Sequence, residues 1–392
     1  MPCFRKTPAT GPRGGVSGGF ATTGADDLVA ERVLRDVSQT LSDLYFDNHV
    51  APIEAFAHSA GLRFRAQSYG EPIDLSRAGT TLDIPEDEGA GGDQWRLLST
   101  SAAMARKKVV SDEMSSSGGP GFLPPYAFTK ADFTRTINGL FATGSNLTIL
   151  HGFAYAKWPV KADGTVTDTS ARWPGFHAFP SNIGEPFGLR QPAWTMESDF
   201  AGFLARSQHI LQAGYLRMDV AVYKQDLGAS FGGPGGPGVP PPPPTPDTAL
   251  LGAGFSWGYV TPHLLNLANA TVTDGLLDSA GPAFKAIILF QQPSIPVETA
   301  QKLVALAKSG LPILVVGEAP SRIPGYGSDA AAVAAADTQL QSVIRDLLAQ
   351  PSVKQLTGTG DLLAALASAK VEPAAKTSAP GLVAFASFRD DG

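Results

Sequence analysis

Apolar and polar positions along the chain change period several times, and the changes divide it into elements. From Asp26 to Gly61, DDLVAERVLRDVSQTLSDLYFDNHVAPIEAFAHSAG places apolar residues three and four apart. That is the spacing of one helical face, with Asp26 and Asp27 suited to its start and Gly61 to its end. The short run LRFRAQS, Leu62–Ser68, reads as a strand. Helical spacing returns at Gln94–Arg106 and leads into KKVVSDE, a strand whose carboxyl end is Glu113. It returns at Lys130–Ala142 before NLTILHGFAY, a strand ending near His151, and at Asp199–Ala213 before YLRMDVAVY. Helix–strand units in series, with long strand-to-helix loops and short helix-to-strand turns, predict parallel α/β architecture. Long loops after strand carboxyl ends are where a (β/α)8 barrel keeps its chemistry.

The low-complexity stretch GASFGGPGGPGVPPPPPTP interrupts this pattern and reads as flexible glycine with polyproline II. A second alternation follows it. KAIILF (Lys285–Phe290) and LPILVVG flank the helical VETAQKLVALAKSG, which Gly310 closes. Helical runs at Asp329–Leu348 and Gly360–Ser368 precede a last strand, GLVAFASF. Continuous apolar runs mark strands covered on both faces, so this half predicts a small doubly wound domain. The expected organisation is a disordered segment (1–24), the carboxyl-terminal half of a TIM-type barrel (25–226), a Pro/Gly-rich linker or insertion (227–250) and a second α/β domain (251–392).

Composition narrows the classes. With 392 residues there is room for two or three cored domains. Hydrophobic residues are 43% and charged residues 17%, a globular balance. A net charge of −6 and the lack of any Lys/Arg-rich block argue against a nucleic-acid partner. The single cysteine, Cys3, cannot form an intrachain disulfide or a cysteine-based zinc site. The first residues carry no apolar run of a signal peptide, and no stretch approaches the roughly 18 apolar residues of a membrane span.

Candidate chemistry gathers at three places. Arg65, Gln67 and Tyr69 alternate along one strand face, followed by Glu71. Shortly after, TLDIPEDE puts Asp83, Glu86, Asp87 and Glu88 within six residues. Repulsion among them is costly unless a cation or an array of sugar hydroxyls answers it, or unless the run is a solvated acidic loop. Glu113 sits where a buried strand surfaces, the usual position of the paired carboxylates of sugar hydrolysis. His151 ends another strand, with Tyr155 and Trp158 behind it, and further aromatics run from Trp173 to Trp194. Aromatic faces stack on sugar rings while His and Tyr hydrogen-bond their hydroxyls. The GxxxxGK[ST] phosphate loop and the HExxH zinc helix are both absent, and GGPGGPG adjoins polyproline rather than joining a strand to a helix.

Eight motifs in order, RAQSYGEP, DIPEDE, VVSDEMSS, LTILHGFAY, WPGF, LRQPAW, LARSQHILQAG and DVAVY, resemble glycoside hydrolase family 106 over roughly Asp26–Asp226. The later strands resemble the flavodoxin-like domain that follows the barrel in that family, which consists of α-L-rhamnosidases and their relatives. The resemblance implies an inverting, calcium-assisted hydrolysis of terminal α-L-rhamnosides in rhamnose-containing glycans, and an extracellular setting. Glu113 matches the family's base. Glu86, with Glu88, matches the acidic element near calcium and the sugar hydroxyls, and is the second expected catalytic carboxylate. Arg65, Gln67, Tyr69, His151, Tyr155 and Trp194 are the expected substrate contacts. The family's amino-terminal half-barrel and β-sandwich domains have no counterpart here, so the resemblance casts the chain as a fragment with its general acid elsewhere. The alternative is a non-catalytic carbohydrate-binding protein.

Overall fold

A computed structural model of the chain describes residues 27–68, 73–88, 92–114, 129–150, 163, 194–225, 246–376 and 388–390. Its first part runs α1 (Asp27–Tyr45), α2 (Ala51–Ser59), β1 (Arg65–Gln67), α3 (Leu75–Thr81), β2 (Ile84–Glu88) and α4 (Gly92–Met104). It continues with β3 (Ser111–Met114), α5 (Lys130–Thr143), β4 (Leu147–Leu150), α6 (Glu197–Leu211) and β5 (Tyr215–Arg217). Then come β6 (Val220–Tyr223), α7 (Asp247–Gly252), β7 (Trp257–Val260), α8 (Pro262–Leu265), β8 (Val272–Thr273) and β9 (Leu276–Leu277). The last described elements are β10 (Ala286–Phe290), α9 (Val297–Lys308), β11 (Ile313–Val316), α10 (Ala330–Leu348), β12 (Val353–Leu356), α11 (Leu362–Ser368) and β13 (Phe388–Asp390). No described helix is long and apolar enough to cross a membrane.

Local chemistry sets the boundaries. The single long helix read from Asp26 to Gly61 is α1 and α2 joined by a π-turn, Phe46–Val50, just ahead of Pro52. Proline has no backbone N–H to bond backwards, and a wider turn carries the helix past it. Helix α5 opens on a capping box, with Thr129 accepting from the Asp132 N–H at 3.2 Å and returning its own N–H to Asp132 at 3.0 Å. It closes on Gly144 at φ +108°, a left-handed cap that a side chain would strain.

Two parallel sheets result. One has the order β1-β2-β3-β4 and the other β12-β11-β10-β6-β7. Two expectations are corrected here. YLRMDVAVY, read as the fourth strand of the first sheet, divides: β5 pairs antiparallel with β13, and β6 lies inside the five-stranded sheet between β10 and β7. All four residues of Val-Ala-Val-Tyr are buried, and a strand apolar on both faces belongs where both faces are covered. Its place in the first sheet is taken by β2, whose acidic DIPEDE sequence carries no apolar run to announce a strand. GLVAFASF lies outside the described residues except for Phe388, as do the first 26 residues and most of the Pro/Gly-rich stretch.

Helix α4 joins the sheets. Leu97, Leu98 and Ala102 share one core cluster with Met218, Tyr259 and Ile288. Arg96 donates to the Trp257 carbonyl at 3.1 Å and lies 4.3 Å over the Trp257 ring. A Cβ on Gly258 would overlap Thr100 and Met218, so glycine is what lets α4 approach β7. A second cluster, with Trp95, Phe133, Ile137 and Phe200, packs α5 and α6 against the first sheet.

Candidate active site

Side chains alternate across a strand, so the register of the first sheet sorts its polar residues onto two faces. Gln67 pairs with Glu86, and Glu86 with Ser111. Glu88 pairs with Glu113, and Glu113 with Ile149. One face therefore carries Arg65, Gln67, Glu86, Glu88, Ser111 and Glu113. Asp87, Asp112 and Thr148 occupy the other, which the helices cover. The first face is the more open: Arg65 is exposed and Gln67, Glu88 and Glu113 are half-buried, whereas Asp87 and Asp112 are buried.

Hydrogen bonds tie the open face together. Arg65 forms an ion pair with Glu86, which also accepts from the Ser111 hydroxyl at 2.5 Å. Gln67 Nε2 donates to Glu113 Oε2 at 2.6 Å. That hydrogen bond fixes the direction of the Glu113 carboxylate on the open face. On the covered face, Asp112 accepts from Ser145 at 2.5 Å and Thr148 at 3.3 Å, and Asp87 accepts from the Glu88 N–H at 2.8 Å. Burial, with Glu86 adding repulsion, pushes both carboxyls up to about 7. Each keeps one buried oxygen, Asp87 Oδ2 and Asp112 Oδ1, with no hydrogen bond among the described residues.

Of the residues expected from sequence, the fold brings Arg65, Gln67, Glu86, Glu88 and Glu113 onto one face. Tyr69, His151 and Tyr155 lie outside the described residues. Trp194 stands on the short 3-10 turn Trp194–Met196, outside the sheet and 36% exposed. Ser111 and the buried Asp87–Asp112 row were not anticipated. The register that aligns DIPEDE with VVSDE is the only signal that reveals them, and a single sequence does not contain it.

Of the two carboxylates expected at calcium, Glu86 fits a cation poorly. Calcium takes six to eight oxygens, whereas the Glu86 carboxylate is already answered by a guanidinium and a hydroxyl. Among the described residues, one trio of ligand-type groups has its atoms within 4.8 Å of each other: Glu54, His58 and Asp83. It sits at the opposite, amino-terminal end of β2, where Asp83 is bound by His58 at 2.7 Å and by the Phe64 N–H at 2.8 Å.

The profile of a family described as alpha-L-rhamnosidase, glycoside hydrolase 106, matches residues 23–386. A protein of Formosa agariphila with the provisional name beta-glucuronidase is 26% identical over 302 residues, 76% of this chain and 23% of its own length. The solved rhamnosidase of Novosphingobium sp. PP1Y superposes with a TM-score of 0.68 at 20% identity, over 93% of this chain and 34% of that one. The chain thus spans about a third or less of the length of these two proteins.

Proposed function

The chain belongs to the alpha-L-rhamnosidase family of glycoside hydrolases, family 106, and from that premise we propose that its four-stranded sheet forms one wall of a site that hydrolyses terminal α-L-rhamnosides with inversion. The observation that carries the reading is Glu113, half-buried on the open face and held by the Gln67 amide at 2.6 Å. We read β1 to β4, side by side in chain order, as a segment of barrel wall. The five-stranded sheet, whose order in chain terms is 5-4-3-1-2, we read as flavodoxin-like.

Inversion needs a base that takes a proton from water on one face of the sugar and an acid that protonates the leaving oxygen on the other. Glu113 suits the base, because it stands half-buried on the open face and the amide on Oε2 fixes its direction. Glu86 does not suit the acid. Its carboxylate is taken up by the Arg65 guanidinium and the Ser111 hydroxyl, and it serves instead to orient them at the floor of the site. Glu88 is beside Glu113 on the adjacent strand, at about the 4.8 Å inter-strand spacing. An inverting pair flanks the sugar from opposite sides, its carboxyls roughly 6.5–9.5 Å apart, whereas Glu88 and Glu113 project from neighbouring strands of one wall. The general acid is therefore not assigned among the described residues.

The same face discriminates between sugars. A uronate brings a carboxylate and needs an uncommitted cation. Here the Arg65 charge is matched by Glu86, which favours a neutral deoxyhexose over a glucuronide. The test compares release of an aryl group from an aryl α-L-rhamnoside and an aryl β-glucuronide, with the first-formed sugar anomer followed by NMR. The reading expects rhamnoside turnover giving the β-anomer first. Faster glucuronide turnover, or retention, would overturn it, and rhamnose binding without turnover would favour a purely binding role.

A further inference from the structure

We infer that the molecule carries a second small-molecule site, over the carboxyl ends of β6 and β7, that takes a neutral polyhydroxylated compound of monosaccharide size. It is separate from the acidic sheet and does not rest on the hydrolysis proposed above.

A cavity of about 400 Å3 lies at this place, within the range of small-ligand pockets. Its walls come from four stretches distant in sequence: α1, the start of α3, Gln225 just beyond β6, and Thr261–His263 just beyond β7. In an open doubly wound sheet, ligands collect outside the strand carboxyl ends near the point where strand order reverses. That reversal falls between β6 and β10, so the cavity stands next to it.

The lining is unlike a packing gap. Where α4 meets β7, the space is closed by Leu98, Met218 and Tyr259. Around this cavity every lining side chain except Pro262 carries a polar group. Hydrogen bonds fix the walls in place: Thr261 donates to Ser76 at 2.9 Å, Thr80 and His263 Nε2 are 2.9 Å apart, and Ser42 accepts from the Asp74 N–H at 2.9 Å. A space already built costs little ordering when a ligand enters.

Charge selects the class of ligand. Arg77 donates to Asp43 at 2.9 Å and to Asp47 at 2.7 Å, and Gln39 donates to Asp43 at 3.0 Å. Two arginines and two aspartates line the cavity, so their formal charges cancel. Burial lowers the pKa of His263, which keeps it neutral at pH 7. An ion would meet opposed charges of both signs. A polyol meets what it needs: guanidinium and amide N–H groups for its hydroxyl oxygens, and carboxylates for its hydroxyl protons.

The test is calorimetric titration with L-rhamnose, D-mannose and myo-inositol on the wild type, on Gln225→Trp, which fills the cavity, and on Gln39→Leu, which removes one polar wall. At least one probe should bind the wild type and weaken tenfold or more in both variants, a loss of about 1.4 kcal/mol. Both variants should melt with the wild type, and their rate on the aryl rhamnoside should not change. Unaltered binding in both variants, or no wild-type binding of any probe up to about 10 mM, would overturn the inference. Neither result bears on Glu113, so this site and the barrel-wall reading can fail independently.

Discussion

The two parallel sheets share a build but not a vocabulary. Strands β10 and β11 read Ala-Ile-Ile-Leu-Phe and Ile-Leu-Val-Val and are buried throughout. Strands β2 and β3 read Ile-Pro-Glu-Asp-Glu and Ser-Asp-Glu-Met, and Glu86, Asp87 and Asp112 are as deeply buried as the isoleucines of the other sheet. Apolar burial contributes about 25 cal/mol per Å2, whereas a buried carboxylate costs several kcal/mol unless something answers it. Folding alone selects the first kind of strand and works against the second. The acidic strands persist because Arg65, Ser111, Gln67, Ser145 and Thr148 answer their carboxylates, and an arrangement so costly to the fold is what supports placing the proposed chemistry there.

The contrast can be broken from the apolar side first, where the effect is largest. Ile288 is fully buried in β10, flanked by β6 and β11. Ile288→Ala should cost roughly 2–5 kcal/mol in denaturant unfolding. Ile149→Ala, on the half-open face of β4, should cost less than half as much. Equal losses would mean that the two sheets carry stability alike.

A smaller effect separates the sheets by pH. Asp112 in the fold titrates at about 7, raised above its ordinary value by burial. Between about pH 4 and pH 7 the folded chain therefore holds a proton that the unfolded chain has lost. Stability should fall as pH rises through that window and level off above it. Asp87 contributes in the same window, so Asp112→Asn should roughly halve the slope and, at pH 8, should be the more stable by on the order of 2 kcal/mol, read from melting temperatures across the window. A slope that Asp112→Asn leaves unchanged would place the titration elsewhere.

The apolar sheet was legible in part: β10 and β11 are runs with no polar interruption, whereas β7 and β12, which reads Val-Lys-Gln-Leu, were not expected as strands. Ala286–Phe290 and Ile313–Val316 fall inside KAIILF and LPILVVG. The same rule misplaced YLRMDVAVY, since an apolar run reports that both faces are covered and not which sheet covers them. The acidic sheet was legible only in its chemistry. Arg65, Gln67, Glu86, Glu88 and Glu113 were expected site residues from separate motifs, alongside Tyr69, His151, Tyr155 and Trp194, yet DIPEDE read equally well as a solvated loop. Its strand character depends on partners nineteen or more residues away, which local periodicity does not register. The cavity beyond β6 and β7 was not anticipated, because its walls come from four segments whose polar residues look ordinary one at a time.

The central claim is that the acidic sheet is built for hydrolysis and not for stability, and Glu113→Gln tests it most directly. With aryl α-L-rhamnoside turnover and denaturant unfolding measured on the same preparation, turnover should fall by about 100- to 10,000-fold, the usual worth of a general base. The unfolding free energy should stay within about 1 kcal/mol of the wild type. A variant that hydrolyses the rhamnoside at the wild-type rate, or one whose turnover falls only as far as its folded fraction does, would contradict the account.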